Sequence, residues 1–264
     1  RAPTGVYDHV TKLGIANLPV VCSNGARGFY CSPNNSSGSD AVASRTPPPP
    51  VTTEKLFYDP VPKLIVERTI KLANQLGYAI QYYTEDDCVY ANQKNSIHYK
   101  MTQRYSDYTG VRIDHVDDDF QSLLLDGPDQ QLPSKLLVLF DEQDPEIARR
   151  HFTNEFSTRR EATVVKGYCT WFLEVLSSSV NKGQGLKQMC SVLKIPLEEV
   201  IAIGDGCNDI EFLEMAGLGV AVANAEPEVK DCADFVSKYT NDQHGVMKVL
   251  QDLKEQNRFE MRKL

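Results

Sequence analysis

Ile201-Ala202-Ile203-Gly204-Asp205-Gly206-Cys207-Asn208-Asp209 is the stretch whose reading decides the fold. An apolar run of strand length ends in a glycine turn that carries two carboxylates and an amide. Ile210–Ala216 then takes on helical spacing. In an open α/β sheet, ligands bind just past the carboxyl ends of the strands. Two acids four residues apart at such a point suit a hard, oxygen-ligated cation such as Mg²⁺. Gly-Asp-Gly is also an ordinary turn sequence, because glycine tolerates positive φ and Asp bonds its own backbone. The strand before it and the Asn208-Asp209 pair after it favour the ligand-binding reading.

The pattern continues on both sides of this turn. Residues 173–176 read as a strand, and a helix starts near Lys182 and includes 187–193. Strands follow at 200–203, 218–222 and 235–236, with helices at 211–216 and 226–233 between them. Strand and helix in strict alternation predict a parallel, doubly wound sheet. Gly217-Leu218-Gly219 precedes a strand instead of opening a helix, so it is not a dinucleotide loop. Neither a P-loop nor a G-x-S-x-G nucleophile elbow occurs.

The upstream part has another style. Residues 5–13 are helix-like, with Gly14 as a cap, and Leu18–Cys22 reads as a buried strand. Residues 32–50, SPNNSSGSDAVASRTPPPP, are low in complexity and offer little apolar area to bury. Residues 63–76 have helical apolar spacing and Gly77 after them as a C-cap. Paired strands are expected at 78–83 and 87–91, a helix at 96–106, a strand at 135–140, a helix at 144–156, and strands at 163–165 and 170–176. Helices and hairpins mixed in this way make an α+β block over about 56–168. The acidic run Asp114–Asp119 reads as a solvated turn. Tyr82, Tyr83 and His98 are candidates to face a substrate, with core packing the better reading for each.

Bulk properties narrow the function. A net charge of −8 argues against nucleic acid as the main ligand. The seven cysteines form no C-x-x-C and are odd in number, and no signal peptide is visible. A reduced, intracellular and most simply cytoplasmic setting is therefore expected, with an organelle also open. No H-E-x-x-H occurs, and the apolar runs are too short to cross a bilayer. This charge balance leaves a small phosphorylated metabolite open as the partner, with no nucleic acid and no membrane expected.

Several segments resemble one family. Asn181-Lys182-Gly183-Gln184-Gly185-Leu186, the run GDGCNDIEFLEMAGLGVAVANA, Ala233-Asp234 and Asn241–Val246 look like haloacid dehalogenase (HAD) phosphatases of the Cof type. Val20-Val21-Cys22-Ser23-Asn24-Gly25-Ala26 resembles the family's second-strand segment. The resemblance implies a Rossmann-like α/β core of residues 1–55 and 169–264, with an inserted α+β cap of the C2 type at 56–168. It also implies a Mg²⁺-dependent phosphatase acting through an aspartyl-phosphate. By position, Asp205 and Asp209 would serve the metal, Asp209 directly or through water. Lys182 would neutralise phosphate and nucleophile, Asn208 would donate to phosphate, and Ser23 and Asn24 would shape the mouth of the site.

The resemblance is incomplete. The family's D-x-D-x-T motif does not occur; Asp117-x-Asp119 is followed by Phe-Gln-Ser. The nucleophile, its acid/base Asp and the phosphate-binding hydroxyl are expected upstream of residue 1, in a longer chain. Alone, this chain is expected to be inactive. Two other readings stay open: a non-catalytic HAD-fold binding protein, and a sister-group sugar-phosphate phosphatase or phosphomutase.

Overall fold

The computed structural model describes residues 4–34, 51–92, 96–125, 127, 130–141, 145–157, 160–167 and 170–256. The low-complexity stretch lies outside the described residues from 35 onward. The chain divides into two compact units, 1–180 and 181–264.

The first unit opens on α1 (Thr4–Leu13), followed by β1 (Leu18–Cys22), β2 (Arg27–Pro33) and β3 (Val51–Tyr58). These strands form an antiparallel sheet in the order β1-β2-β3. The expected strand at 18–22 is present, with β2 as its partner. Val20, Cys22, Phe29 and Cys31 alternate onto one face and pack with Val10 of α1.

The rest of the unit is built on a six-stranded sheet. Its strands are β4 (Ala79–Tyr83), β5 (Val89–Asn92), β6 (Asp114–Val116), β7 (Lys135–Leu139), β8 (Ala162–Lys166) and β9 (Phe172–Ser177), in the order β6-β5-β4-β7-β9-β8. Helix α2 (Lys63–Leu76) buries Ile65, Val66, Thr69, Ile70 and Ala73. It packs with Phe152 and Phe156 of α4 (Pro145–Ser157) against Ile80, Tyr82, Leu136, Val138, Leu173 and Val175. The opposite face, with Ala79, Tyr83, Leu137, Leu139 and Phe172, packs against Tyr105 of α3 (Ser96–Thr109). Cover on both faces explains why β7 reads KLLVL without polar alternation.

This sheet corrects two expectations. The strand near 173–176 does not open the parallel alternation; as β9 it runs antiparallel to both β7 and β8. A short apolar run cannot by itself distinguish a buried parallel strand from an antiparallel one covered on both faces. Part of the acidic run is a strand: β6 pairs parallel with β5. Only the residues after it turn, with Asp118 Oδ2 accepting the Ser122 backbone N–H at 2.9 Å.

The second unit follows the expected alternation: α5 (Lys182–Leu193), β10 (Ile201–Gly204), α6 (Ile210–Met215), β11 (Leu218–Ala221), α7 (Pro227–Cys232), β12 (Phe235–Val236) and α8 (Gly245–Glu255). β10, β11 and β12 are parallel, with Ile201 opposite Leu218 and Val220 opposite Phe235. Ala202 and Ala221 pack with Leu213 of α6 and Val229 of α7. Val220 packs with Val249 and Leu253 of α8. Helices therefore cover both faces of a parallel sheet, which is the doubly wound arrangement. Among the described residues, no helix is long and apolar enough to cross a membrane.

Candidate functional site

In the second unit, β10 delivers the chain to Gly204, and Asp205 follows directly. Cys207–Asp209 then makes one 3₁₀ turn before α6 begins. Asp209 is the internal strut of this turn. Its Oδ2 accepts the backbone N–H groups of Asp205 at 3.0 Å and Gly206 at 3.1 Å. Its Oδ1 receives the Lys182 ammonium. The residue is only 5% exposed, so this carboxylate is a buried anion with partners on both oxygens, as burial of a charge requires.

Lys182 is the first residue of α5, where a cation opposes the helix dipole. The helix start is secured by Asn181, whose side chain accepts the Gln184 N–H at 2.7 Å. The unfavourable position of Lys182 is offset by its ion pair with Asp209. Asp205 and Asn208 are exposed on the turn, and the Asp205 carbonyl accepts the Glu226 N–H at 2.9 Å, tying the turn to the start of α7. The structure thus brings Lys182, Asp205, Asn208 and Asp209 together. It gives the two aspartates unequal places: Asp209 points inward and is engaged, whereas Asp205 lies at the surface.

The residues suit a hard cation. The donors are carboxylate oxygens, and among the described residues no third Asp, Glu, His or Cys joins these two to make a protein cage. Mg²⁺ is commonly bound through one or two carboxylates and completed by water and phosphate oxygens. Beside the turn, Cys207 Sγ donates to Glu226 Oε2 at 2.8 Å. That hydrogen bond to an anion, with some burial, pushes the thiol up to about 11.

Ser23 and Asn24 lie in the first unit, on the turn between β1 and β2. Ser23, Asn24 and Gly25 all have positive φ, at 52°, 55° and 110°. Ser23 is buried, and Ser134 Oγ donates to its hydroxyl at 3.3 Å. Asn24 Nδ2 donates to Glu174 Oε2 at 2.8 Å, and Glu174 Oε1 accepts from Lys135 Nζ at 2.6 Å. Burial works against the Lys135 charge, but the adjacent Glu174 carboxylate, together with Tyr105 and Cys22, outweighs it and holds the ammonium above its ordinary range.

The three cap candidates are core residues. Tyr82 stacks on Phe120 at 5.2 Å and donates to the Gln131 carbonyl. Tyr83 is buried and donates to Gln81, and His98 is buried 3.1 Å from the Gly77 carbonyl. Sequence reasoning missed Lys135, Glu174 and Glu226. For the first two a signal existed: a single charge in each of the apolar strands KLLVL and FLEVLS.

A parallel sheet ending in a lysine-backed carboxylate turn, together with a separate α+β sheet, defines a Rossmann-like protein with a cap. The sequence profile of the haloacid dehalogenase-like hydrolases matches residues 50–250, and the chain belongs to that family. It is 48% identical over 80 residues to phosphatase YwpJ of Bacillus subtilis, covering 30% of this chain and 28% of that protein. It spans less than half the length of the first curated relatives it matches. Among solved structures, TM0651 from Thermotoga maritima superposes with a TM-score of 0.71 at 22% identity, over 99% of this chain and 83% of that one. The HAD subclass IIB sugar phosphatase BT4131 superposes with a TM-score of 0.64 at 19% identity, over 89% of this chain and 75% of that one. At these identities the likeness is one of fold.

Proposed function

We propose that this chain carries the cation- and phosphate-binding part of a Cof-type phosphatase that hydrolyses small phosphorylated metabolites, sugar phosphates or similar. The observation that carries this reading is the double engagement of Asp209. One carboxylate fixes the Lys182 ammonium and the backbone of the turn, which leaves Asp205 directed outward. Phosphoryl transfer asks the protein mainly for positioning and for cations on the equatorial oxygens. Lys182 supplies a cation already held in place, so no reorganisation is needed when phosphate arrives. Asn208, exposed on the same turn, would donate to phosphate. Asp205 would hold Mg²⁺ directly and Asp209 would support it from behind; the ion would neutralise phosphate charge. Ser23 and Asn24 are assigned to the substrate side of the first unit.

The name of the YwpJ relative and that of the BT4131 fold neighbour support the phosphatase reading and the sugar-phosphate class. Within this reading we place the cap boundary after Ser177, because β9 belongs to the six-stranded sheet. The covalent chemistry is assigned to a D-x-D-x-T that none of the 264 residues provides.

The test is calorimetric and enzymatic. The chain should bind inorganic phosphate in the presence of Mg²⁺, lose that binding on Asp205→Ala, and release no phosphate from an aryl phosphate. Turnover by the chain alone would overturn the division of the site. Absence of Mg²⁺-dependent phosphate binding would overturn the functional reading.

A further inference from the structure

We propose that the groove between α2 and the turn after β6 is a binding site for a small neutral sugar or polyol. Every residue of the groove belongs to the first unit, and the proposal does not depend on the phosphatase reading.

The groove has a volume of about 460 Å³. One wall is α2. Glu67, Lys71, Asn74 and Gln75 recur at the three- and four-residue spacing that puts side chains on one helix face, with the buried Ile70 among them. The other wall is the turn that carries Asp119 and Gln121. Both walls are anchored in the core. Helix α2 buries Ile65, Val66, Thr69 and Ala73. The turn is held by Phe120, fully buried and stacked on Tyr82, and by Asn92, whose amide donates to the Asp119 carboxylate. Asp119 and Phe120 both lie in the left-handed region, at φ 53° and 65°. Consecutive non-glycine residues there are strained, and such strain persists where the surroundings over-determine it, ligand sites among them. The groove is therefore preformed, and a ligand has little protein to order when it binds.

The chemistry of the lining selects the ligand. Among the described residues, Glu67, Lys71, Asn74, Gln75 and Gln121 make no side-chain hydrogen bond or ion pair to other protein groups. Even Glu67 and Lys71, four apart on α2, do not pair. The lining offers two carboxylates, one ammonium and three amides. The excess of carboxylate over ammonium disfavours an anionic ligand. A divalent cation needs more oxygen ligands, and neither Glu67 nor Asp119 belongs to a described group of three metal-ligating side chains. A planar aromatic ligand would find no ring to stack on, because none lines the groove. Hydroxyl groups match the set. Each hydroxyl donates and accepts, an amide provides one end for each role, a carboxylate accepts, and an ammonium donates. Neighbouring hydroxyls on one ligand can engage both ends of an amide or both oxygens of a carboxylate. A sugar phosphate would bring its charge up to Glu67 and Asp119, so the class selected is the unphosphorylated one.

Saturation-transfer NMR of the 264-residue chain with D-glucose, D-mannose, D-ribose and D-glucitol at millimolar concentration tests the proposal. At least one of these probes should receive saturation. Asn74→Ala and Gln121→Ala take one polar group from each wall without touching the core or the Asn92–Asp119 contact. Each is expected to weaken binding of that probe about fivefold, the size of one lost hydrogen bond, with the unfolding midpoint kept. Glucose 6-phosphate should displace glucose less well than unlabelled glucose does. Absence of transfer to all four probes overturns the site. So does binding that neither substitution weakens. Displacement by glucose 6-phosphate at lower concentration than by glucose overturns the neutral ligand class. None of these outcomes bears on the phosphatase reading, which Mg²⁺-dependent phosphate binding tests by itself.

Discussion

A Cβ placed on Gly204 would lie 2.6 Å from Cβ of Asp209 and 2.9 Å from its Cγ. Strand β10 ends on a glycine because the carboxylate that organises the turn folds back against the strand end. Gly204→Ala is expected to push Asp209 off Lys182 and off the two amides it accepts from. Overpacking of this kind costs about 1–3 kcal/mol. Urea denaturation should show the loss as a lower midpoint, and phosphate binding should weaken with it.

Gly77 makes the contrasting case. It ends α2 with φ 74°, and nothing lies within 4 Å of where its Cβ would be. The constraint there is conformational only, so Gly77→Ala is expected to cost about 1 kcal/mol. Gly77→Asn, which tolerates the left-handed region, should recover part of that. If Gly77→Ala and Gly77→Asn unfold at the same midpoint, the left-handed cap is not what Gly77 provides.

Asp205 and Asp209 should separate cleanly on substitution. Asp205 is exposed, whereas Asp209 is buried and carries three hydrogen bonds that the turn depends on. Asp205→Asn is expected to reduce Mg²⁺ affinity with little change in stability. Asp209→Asn leaves Lys182 facing a neutral amide and should lower stability, because losing one partner of a buried charged pair is strongly destabilising. Lys182 is itself about one-third exposed, so water softens the penalty. Magnesium titration and thermal unfolding of the two variants would show the reversed pattern if their roles were exchanged.

The parts legible in the sequence are those whose causes are local. The periodicity of 63–76 and the glycine after it specify α2 and its cap, and the strand-turn-helix order after Lys182 specifies the parallel sheet. The partner of β9 was not legible. Phe172–Ser177 is an apolar run whose neighbours, β7 and β8, are fixed by tertiary register and not by its own residues. The β2–β3 hairpin was hidden because its two strands are separated by the low-complexity stretch. At the site, residue types and spacing brought out Asp205 and Asp209, and the family resemblance brought out Lys182. The unequal places of the two aspartates follow from which carboxylate the backbone amides reach, and only coordinates carry that information.

Cys207 gives a pH-dependent expectation. Its side chain is exposed, yet the hydrogen bond to Glu226 raises the thiol from an ordinary 9.0 to about 11. The thiolate is the reactive form, so two pH units of elevation (11 minus 9) reduce its fraction at pH 8 on the order of a hundredfold. Cys207 should therefore alkylate slowly at pH 8 despite its exposure, and its rate should keep rising toward pH 11. Glu226→Gln removes the anion that opposes ionisation and should bring the midpoint down toward 9, speeding alkylation at pH 8. Peptide mapping after timed iodoacetamide treatment reads Cys207 separately from the other cysteines. Rapid labelling of the unsubstituted protein at pH 8, unaffected by Glu226→Gln, would show that the Cys207–Glu226 hydrogen bond does not control this thiol.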